Sequence, residues 1–375
     1  MTLQVPNGFK ADYEQTNWEQ RAGLFVWPSC AGPVLTDDER RLLSLYKPSG
    51  VVLFRRSLKT LFQARALCSE ISELTKAPHQ PLGAIIAIDE EGGRVFRLPP
   101  PFPRNHPASE FAHPDSEESL RSQIILQAAA ARAIGVSCML APVADVLTRP
   151  ENPAIGDRSF SSDPSVVSER CSVVVNEIAA AGLMSCLKHF PGHGDTETDS
   201  HRGFATTHVD LETMRTREWI PFRQVINGCG VPLIMTAHVV CSQLDSSKPA
   251  TLSPIILQKF LRDELKFSGL ILSDDLRMNA ISDYYGVTKT VTAAAVYDGQ
   301  NSDDVEDDSF LKIASVDALR AGCDILLSCQ SIVREQTALE AVKEALMNES
   351  GESLFTEKGM RIIAVLKERM TQLPS

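Results

Sequence analysis

The richest concentration of reactive side chains lies in residues 188–201, which read KHFPGHGDTETDSH. These fourteen residues contain three histidines, three carboxylates and one lysine. A proline and two glycines disfavour a helix here, so the histidines do not share a helical face as they would in a helical zinc motif. The segment predicts a polar loop after a strand, where catalytic groups concentrate, and a merely solvated loop is the simpler alternative.

Asp199 and His201, near the end of this loop, are two residues apart. A carboxylate at that spacing can accept a hydrogen bond from one imidazole nitrogen, fix the tautomer and raise the pKa of the ring. The other nitrogen is then left to give or take a proton. The pair is a candidate proton donor with its partner.

Asp274 ends the apolar run 269–274 and is followed directly by Asp275. Carboxylates at the end of a buried strand must be solvated, paired or used in chemistry. We interpret Asp274 as a nucleophile or a metal ligand at the end of its strand. For Asp275, capping of the following helix is the plausible structural role.

Two further segments place acids and arginines in glycine-rich turns: IDEEGGRVFRL at 88–98 and NPAIGDRSF at 152–160. The paired glycines Gly92 and Gly93 predict a turn with positive φ or a close backbone approach. The acids and arginines are either functional or a structural set of ion pairs, and the sequence leaves both interpretations open.

Eight short apolar runs recur along the chain, and segments of helical periodicity lie between them. Most runs do not alternate, as expected for strands of a parallel sheet buried on both faces. The predicted strands are 23–30, 50–54, 84–89, 138–145, 185–189, 232–238, 269–274 and 324–329. The predicted helices are 36–46, 60–75, 117–134, 164–181, 211–226, 254–265, 309–321 and 332–347.

This alternation predicts an α/β fold, a closed (β/α)8 TIM barrel in one domain, and a doubly wound open sheet is the alternative. The barrel is favoured because polar residues cluster at the C-terminal ends of the runs, where barrel enzymes place their chemistry. We expect an N-terminal extension at 1–22, the barrel at 23–347 and a C-terminal helix or tail at 348–375. An acidic stretch at 287–308 is predicted to be a surface excursion.

Composition limits the partners. The 375 residues carry a formal net charge of -11 and a pI near 5.3, which argues against nucleic acid or an anionic membrane as a partner. The nine cysteines are scattered singly, and the first thirty residues lack a secretory pattern. These features predict a cytoplasmic protein with reduced thiols, and they give no indication of its oligomeric state.

Together the motifs resemble the NagZ-type β-N-acetylhexosaminidases of glycoside hydrolase family three, from about residue 23 to 346. The loop at 188–201 is the most specific element of this resemblance. The other matching motifs, in family order, are 88–98, GDRSF at 156–160, MTAHV at 235–239, PATLSP at 249–254 and SDDL at 273–276.

The resemblance implies that Asp274 is the catalytic nucleophile, that His201 is the general acid/base and that Asp199 is its partner. It also assigns positions that hold the hydroxyl and acetamido groups of N-acetylglucosamine: Asp89, Arg97, Arg158, Lys188 and His189. Arg94, His193 and His238 belong to the same motifs and are expected to support them.

The implied reaction removes terminal β-linked N-acetylglucosamine from muropeptide fragments, a step of peptidoglycan recycling, through a covalent intermediate and without a metal or other cofactor. The partner would then be a small glycoside. A phosphorylase or a β-glucosidase of the same family is the alternative enzyme. From another class, a zinc-dependent barrel hydrolase would use His189, His193, His201, His238 and Asp274.

Overall fold

The computed structural model describes residues 8–197, 205–287, 308–348 and 354–368. Eight parallel strands close into a barrel in chain order, and the last strand pairs with the first. We number them β1 to β8: Val26–Ser29, Gly50–Val52, Ile85–Ile88, Cys138–Met139, Met184–Phe190, Leu233–Thr236, Leu270–Asp275 and Ile325–Ser331. This confirms the predicted (β/α)8 TIM barrel and excludes the open sheet.

Helices are numbered α1 to α12 in chain order, and most lie between the strands. Their bounds are Gly8–Glu14, Trp18–Phe25, Asp37–Tyr46, Leu61–Thr75, Glu117–Ala133, Pro164–Ala180, the continuous run of Leu211–Thr213, Met214–Glu218 and Trp219–Gly228 (α7), Ile255–Glu264, Asn279–Tyr284, Ser309–Ala321, Gln336–Asn348 and Leu354–Glu368. The segment Met214–Glu218 of α7 and all of α8 have π-helical hydrogen bonding.

Local sequence accounts for several of these helix starts. Thr36 caps α3 through a reciprocal pair of bonds, in which its hydroxyl accepts from the Glu39 amide and the Glu39 carboxylate accepts from the Thr36 amide. Asp163 caps α6, and Pro164 occupies the first turn, where its missing N–H costs nothing. The predicted starts near 36 and 164 are therefore confirmed.

The start of the first strand was predicted wrongly. Residues 23–25 belong to α2, and β1 begins only at Val26. Gly23 lies in this helix because a β-carbon there would be 1.9 Å from the carbonyl oxygen of Tyr46, so only glycine allows α2 to approach α3 this closely. A short apolar run does not distinguish a buried helix end from a strand.

Packing of the strands against the helices fixes the barrel. Phe190 at the end of β5 stacks on Trp219 of α7, with ring centroids 6.0 Å apart, and Trp219 contacts Phe260 of α8 at 5.1 Å. All three side chains are buried. At the N-terminal side of the chain, α1 packs against α12.

The proposed division at 22/23 falls inside α2, and the division of the chain into the three segments 1–22, 23–347 and 348–375 remains a prediction. Apart from its two ends, the predicted excursion at 287–308 lies outside the described residues. Within the described part of the chain, no helix combines the length and the apolar character that crossing a membrane requires.

Candidate active site

All eight strands are parallel, so their C-terminal ends meet at one face of the barrel. Asp89 follows β3, Lys188 and His189 lie near the end of β5, and Asp274 lies near the end of β7. The Lys188–His189 peptide bond is cis. The structure therefore brings these four sequence-predicted residues to the same mouth.

A set of charges links the loops after β3 and β4 to the end of β5 at this mouth. The Lys188 ammonium lies 2.7 Å from Asp89 Oδ1 and 2.6 Å from Glu91 Oε1. Arg158 makes a two-pronged contact with Glu91, at 2.8 Å from Nε to Oε2 and 2.9 Å from Nη2 to Oε1. Lys188 and Glu91 are almost completely buried, so these pairs are shielded from water.

The charges of this set control one another. Burial alone would raise the pKa of Glu91, but the charges of Arg158 and Lys188 hold it well below its usual range. Burial alone would lower the pKa of Lys188, but Asp89 and Glu91 raise it. Likewise, burial opposes the charge of Arg158, and Glu91 raises its pKa. The mouth therefore holds Lys188 and Arg158 as fixed cations and Glu91 as a fixed carboxylate.

Arg97 enters from the turn after β3, and its Nη2 lies 3.8 Å from Asp89 Oδ2. The turn is shaped by Glu90, whose Oε2 accepts from the amides of Arg97 and Leu98. Gly92 has a φ of +95°, and a β-carbon there would lie 2.4 Å from the His106 carbonyl oxygen. The glycine pair therefore provides the positive φ and the close backbone approach that the sequence predicted.

His189 is oriented by Asp145, a fully buried residue in the loop after β4. Its Nδ1 lies 2.7 Å from Asp145 Oδ2, and the other carboxylate oxygen accepts from the His193 amide at 2.6 Å. Because the carboxylate requires a donor at Nδ1, the ring proton lies there, and Nε2 accepts from Arg158 Nη2 at 3.4 Å.

Asp274 is half-buried, and its Oδ1 accepts from the Asp275 amide at 2.8 Å. The backbone beside it is held by His238, whose Nε2 lies 2.9 Å from the Asp275 carbonyl oxygen and whose Nδ1 lies 2.7 Å from the Thr251 hydroxyl. The segments 235–239 and 249–254 therefore meet beneath the end of β7.

Asp275 does not cap α9, which corrects the sequence-based interpretation. Its Oδ1 accepts from the amides of Arg277 and Cys329, so it joins the turn after β7 to β8. Burial, first among its influences, raises the pKa of Asp275 to about 6. Arg277 continues this link by pairing with Glu335 and Asp308.

Two residues at this mouth were not singled out as site residues from the sequence. Glu91 contacts both Lys188 and Arg158, and Asp145 orients His189. Glu91 follows the predicted strand 84–89 and Asp145 ends the predicted strand 138–145, which was the available signal, but their partners lie far away in the chain. Asp199 and His201 lie outside the described residues.

In the described part of the chain, no three or more His, Cys, Asp or Glu side chains are grouped to hold a metal ion. Of the zinc ligands considered from the sequence, His189 is bonded to Asp145 and His238 to Thr251 and a backbone carbonyl. Arg94 donates to the backbone carbonyls of residues 153–155, and Asn152 donates to the His193 carbonyl.

Curated relatives share most of the chain. A β-hexosaminidase from Thiobacillus denitrificans is 35% identical over 305 residues, which cover 80% of this chain and 76% of that protein. A β-hexosaminidase from Methylococcus capsulatus is 34% identical over 315 residues, covering 83% of this chain and 84% of that one.

Solved structures share the fold. A glycoside hydrolase family 3 β-N-acetylglucosaminidase from Paenibacillus sp. gives a TM-score of 0.82 at 29% identity, covering 96% of this chain. The present chain spans only 64% of that protein. NagZ from Neisseria gonorrhoeae, in complex with N-trifluoroacetyl-D-glucosamine, gives a TM-score of 0.72 at 27% identity and 92% coverage of both chains.

A model of the glycosyl hydrolase family 3 N-terminal domain matches residues 25–365. That match covers the whole barrel, including every segment of the mouth described above. The chain therefore belongs to glycosyl hydrolase family 3 and is a glycoside hydrolase.

Proposed function

We propose that the protein is a retaining exo-β-N-acetylglucosaminidase. The observation that carries this proposal is the placement of Asp274 at the same barrel mouth as the buried Asp89, Glu91, Lys188 and Arg158 cluster. A carboxylate at the edge of fixed donors and acceptors is what a nucleophilic glycosidase requires. The β-hexosaminidase relatives support the same substrate class.

The cluster suits a sugar because it offers both kinds of hydrogen-bonding group. Lys188 and Arg158 can donate to hydroxyl or acetamido oxygens, and Asp89 can accept from hydroxyls. His189, with its proton fixed on Nδ1, has an acceptor at Nε2, where a sugar hydroxyl would replace the 3.4 Å contact with Arg158. Since the groups are already held by one another, they need little reorganisation when the sugar binds. Arg97 completes this proposed set beside Asp89.

In the proposed reaction, an oxygen of the Asp274 carboxylate attacks the anomeric carbon, and the glycosidic bond to the leaving oxygen breaks. Protonated His201 gives its proton to that oxygen, so the leaving group departs as an alcohol. His201 then takes a proton from water, whose oxygen displaces Asp274 and regenerates both groups. Asp199 favours the charged form of the imidazole in the first step.

We infer muropeptide fragments as the natural substrates and the cytoplasm as the location, following the resemblance and the features of the sequence. A phosphorylase of the same family uses the same groups with phosphate in place of water, and a β-glucosidase lacks the need for an acetamido contact. A zinc-dependent hydrolase is the candidate from another class, for which chelation would abolish activity.

A panel of nitrophenyl β-glycosides tests the proposal. We expect the N-acetylglucosaminide to be hydrolysed with a far higher kcat/KM than the glucoside, with no requirement for phosphate or a metal. Preferential turnover of the glucoside would contradict the substrate assignment. Formation of a sugar phosphate as the main product in phosphate buffer would establish the phosphorylase instead.

A further inference from the structure

Three consecutive residues of α7 contact the loop that follows β5. Trp219 Nε1 donates to the Pro191 carbonyl at 3.1 Å, and Arg217 Nη2 donates to Asp195 Oδ2 at 2.8 Å. Between them, Glu218 lies against Gly192, where an added β-carbon would be 3.1 Å from Glu218 Oε2. Arg217 and Glu218 belong to the π-helical segment of α7, a feature frequent at functional sites.

The opposite side of the same loop is held by residues that follow β4. The Thr148 hydroxyl donates to Asp195 Oδ2 at 2.7 Å, and Asn152 donates to the His193 carbonyl at 2.8 Å. A β-carbon at Gly194 would lie 1.8 Å from the Val146 carbonyl oxygen, so the two backbones are in direct contact. The loop is therefore clamped on both sides as far as Asp195.

The residues on either side of the Asp199–His201 stretch are also held in place. The Glu197 amide donates to the Thr206 carbonyl at 3.4 Å, and residues Ala205–Thr207 pair in parallel with Val239–Cys241. Asp195 stands four residues before Asp199 and six before His201 in the sequence. The residues that flank the stretch containing Asp199 and His201, Glu197 on one side and Ala205 on the other, are therefore held by these contacts.

Burying the Glu218 carboxyl group costs free energy that a purely structural contact would not require. Its side chain is only 2% exposed, and Oε1 accepts from Arg217 Nε at 2.6 Å. Within the described residues Oε2 has no hydrogen-bond partner. Burial raises the pKa of Glu218 to about 7 against the charge of Arg217. Sites where a protein tolerates such a cost are often functional.

We propose that Arg217, together with Glu218 and Asp195, forms a positioning network that sets where His201 delivers its proton. Arg217 joins the two acids, one on the helix and one on the loop, so it fixes the distance between α7 and the base of the loop. The inference rests on the proposed role of His201, and none of the three residues needs to touch the substrate.

The test compares kcat/KM for two β-N-acetylglucosaminides of different leaving-group ability, a phenyl and a dinitrophenyl glycoside. This parameter covers the steps up to the covalent intermediate. Arg217→Met removes both contacts at similar size, and Glu218→Gln keeps the shape. Arg215→Met is the matched control, because Arg215 lies in the same segment but pairs with Glu264 of α8. His201→Ala gives the reference.

A displaced proton donor slows only those substrates whose leaving group must be protonated. We expect Arg217→Met to lower kcat/KM for the phenyl glycoside by roughly 10–100-fold and to change the dinitrophenyl glycoside less than about threefold. Glu218→Gln should lower kcat/KM by a smaller factor, again mainly for the phenyl glycoside. If Arg217→Met does not fold, this second variant provides the test. The double variant with His201→Ala should be no worse than His201→Ala alone, because both changes remove one function.

The outcomes separate the two proposals. Suppose that His201→Ala lowers kcat/KM mainly for the phenyl glycoside. If Arg217→Met and Glu218→Gln then resemble Arg215→Met, or lower kcat/KM equally for both glycosides, the proposed positioning network is wrong and His201 remains the proton donor. If His201→Ala itself loses equally on both substrates, the donor assignment fails and the network has nothing to position. Additive losses in the double variant would also overturn the inference.

Discussion

Lys188 donates to Glu91 at 2.6 Å although both side chains are almost completely buried. Glu91 also receives the two-pronged contact of Arg158, so one carboxylate balances two cations. Removing one member of such a set leaves charges buried without compensation, which is more costly than never having buried them. Glu91 is therefore expected to matter for both stability and sugar binding.

The Glu91→Gln variant should lose about 3–5 kcal/mol of unfolding free energy at neutral pH. The pKa of Glu91 is depressed in the folded protein, so its contribution is complete above the ordinary carboxyl pKa of about 4.3 and is lost as the pH falls through the folded value. Denaturant unfolding at a series of pH values should show the two proteins converging in acid.

Glu90→Gln is the control for this prediction. Glu90 has a pKa raised by burial, so its carboxylate adds no stability at neutral pH, and an amide oxygen can still accept from the Arg97 and Leu98 amides. Its cost should be clearly smaller. Equal losses in the two variants would mean that the charge of Glu91 is not what stabilises the mouth.

Asp274→Asn should fold normally and lose turnover by several powers of ten, because an amide cannot form the covalent intermediate. A mechanism-based fluorosugar should label the wild-type peptide that contains residues 273–276. Asp275→Asn should retain most turnover, since its oxygen can still accept from the Arg277 and Cys329 amides. Labelling at another residue, or near-normal turnover of Asp274→Asn, would reject the nucleophile.

Asp145→Asn should weaken the substrate interaction of His189. An asparagine oxygen facing the His193 amide turns its NH2 toward His189 Nδ1, which favours the tautomer with a proton on Nε2 beside Arg158. Loss of the hydrogen bond between His189 and the sugar, about 0.5–1.5 kcal/mol for an uncharged pair, corresponds to roughly 2–10-fold in kcat/KM. A rise in KM is expected, and an unchanged KM would show that His189 does not hold the sugar.

The barrel could be predicted because its signals are local. The hydrophobic periodicity of each strand and helix is visible within a few neighbouring residues. The cap of α3 at Thr36 likewise needs only Thr36 and Glu39. The motifs also placed Asp89, Lys188 and Asp274 at strand ends, where the parallel barrel brings them to one face.

The contacts across the mouth could not be predicted in the same way. Glu91 and Arg158 are 67 positions apart, and no periodicity connects them. The role of Asp145 is equally hidden, because a buried acid after a strand becomes an orienting group only when a histidine from the next strand reaches it. Gly23 misled the strand prediction because its function, close approach to Tyr46, belongs to tertiary packing.

The opposite face of the barrel provides a contrast between stability and catalysis. Asp324 precedes β8, is fully buried and accepts from Arg262, Arg361 and the Ile271 amide. Burial opposes its charge, but Arg262, Lys358 and Arg361 hold its pKa below the ordinary value. Through Arg361 it ties α12 to the bottom of the barrel, far from the mouth where catalysis is expected.

Asp324→Asn should therefore lower the unfolding free energy by about 3–5 kcal/mol while leaving kcat and KM of the folded enzyme near normal. The depressed pKa means that this contribution is present above the ordinary carboxyl pKa and disappears as the pH falls, so the deficit should shrink in acid. Glu357→Gln removes the exposed partner of the same Arg361 and should cost less than about 1 kcal/mol. Denaturant unfolding and steady-state kinetics on the three proteins check both parts, and a large fall in kcat for folded Asp324→Asn would show that the bottom of the barrel is coupled to the mouth.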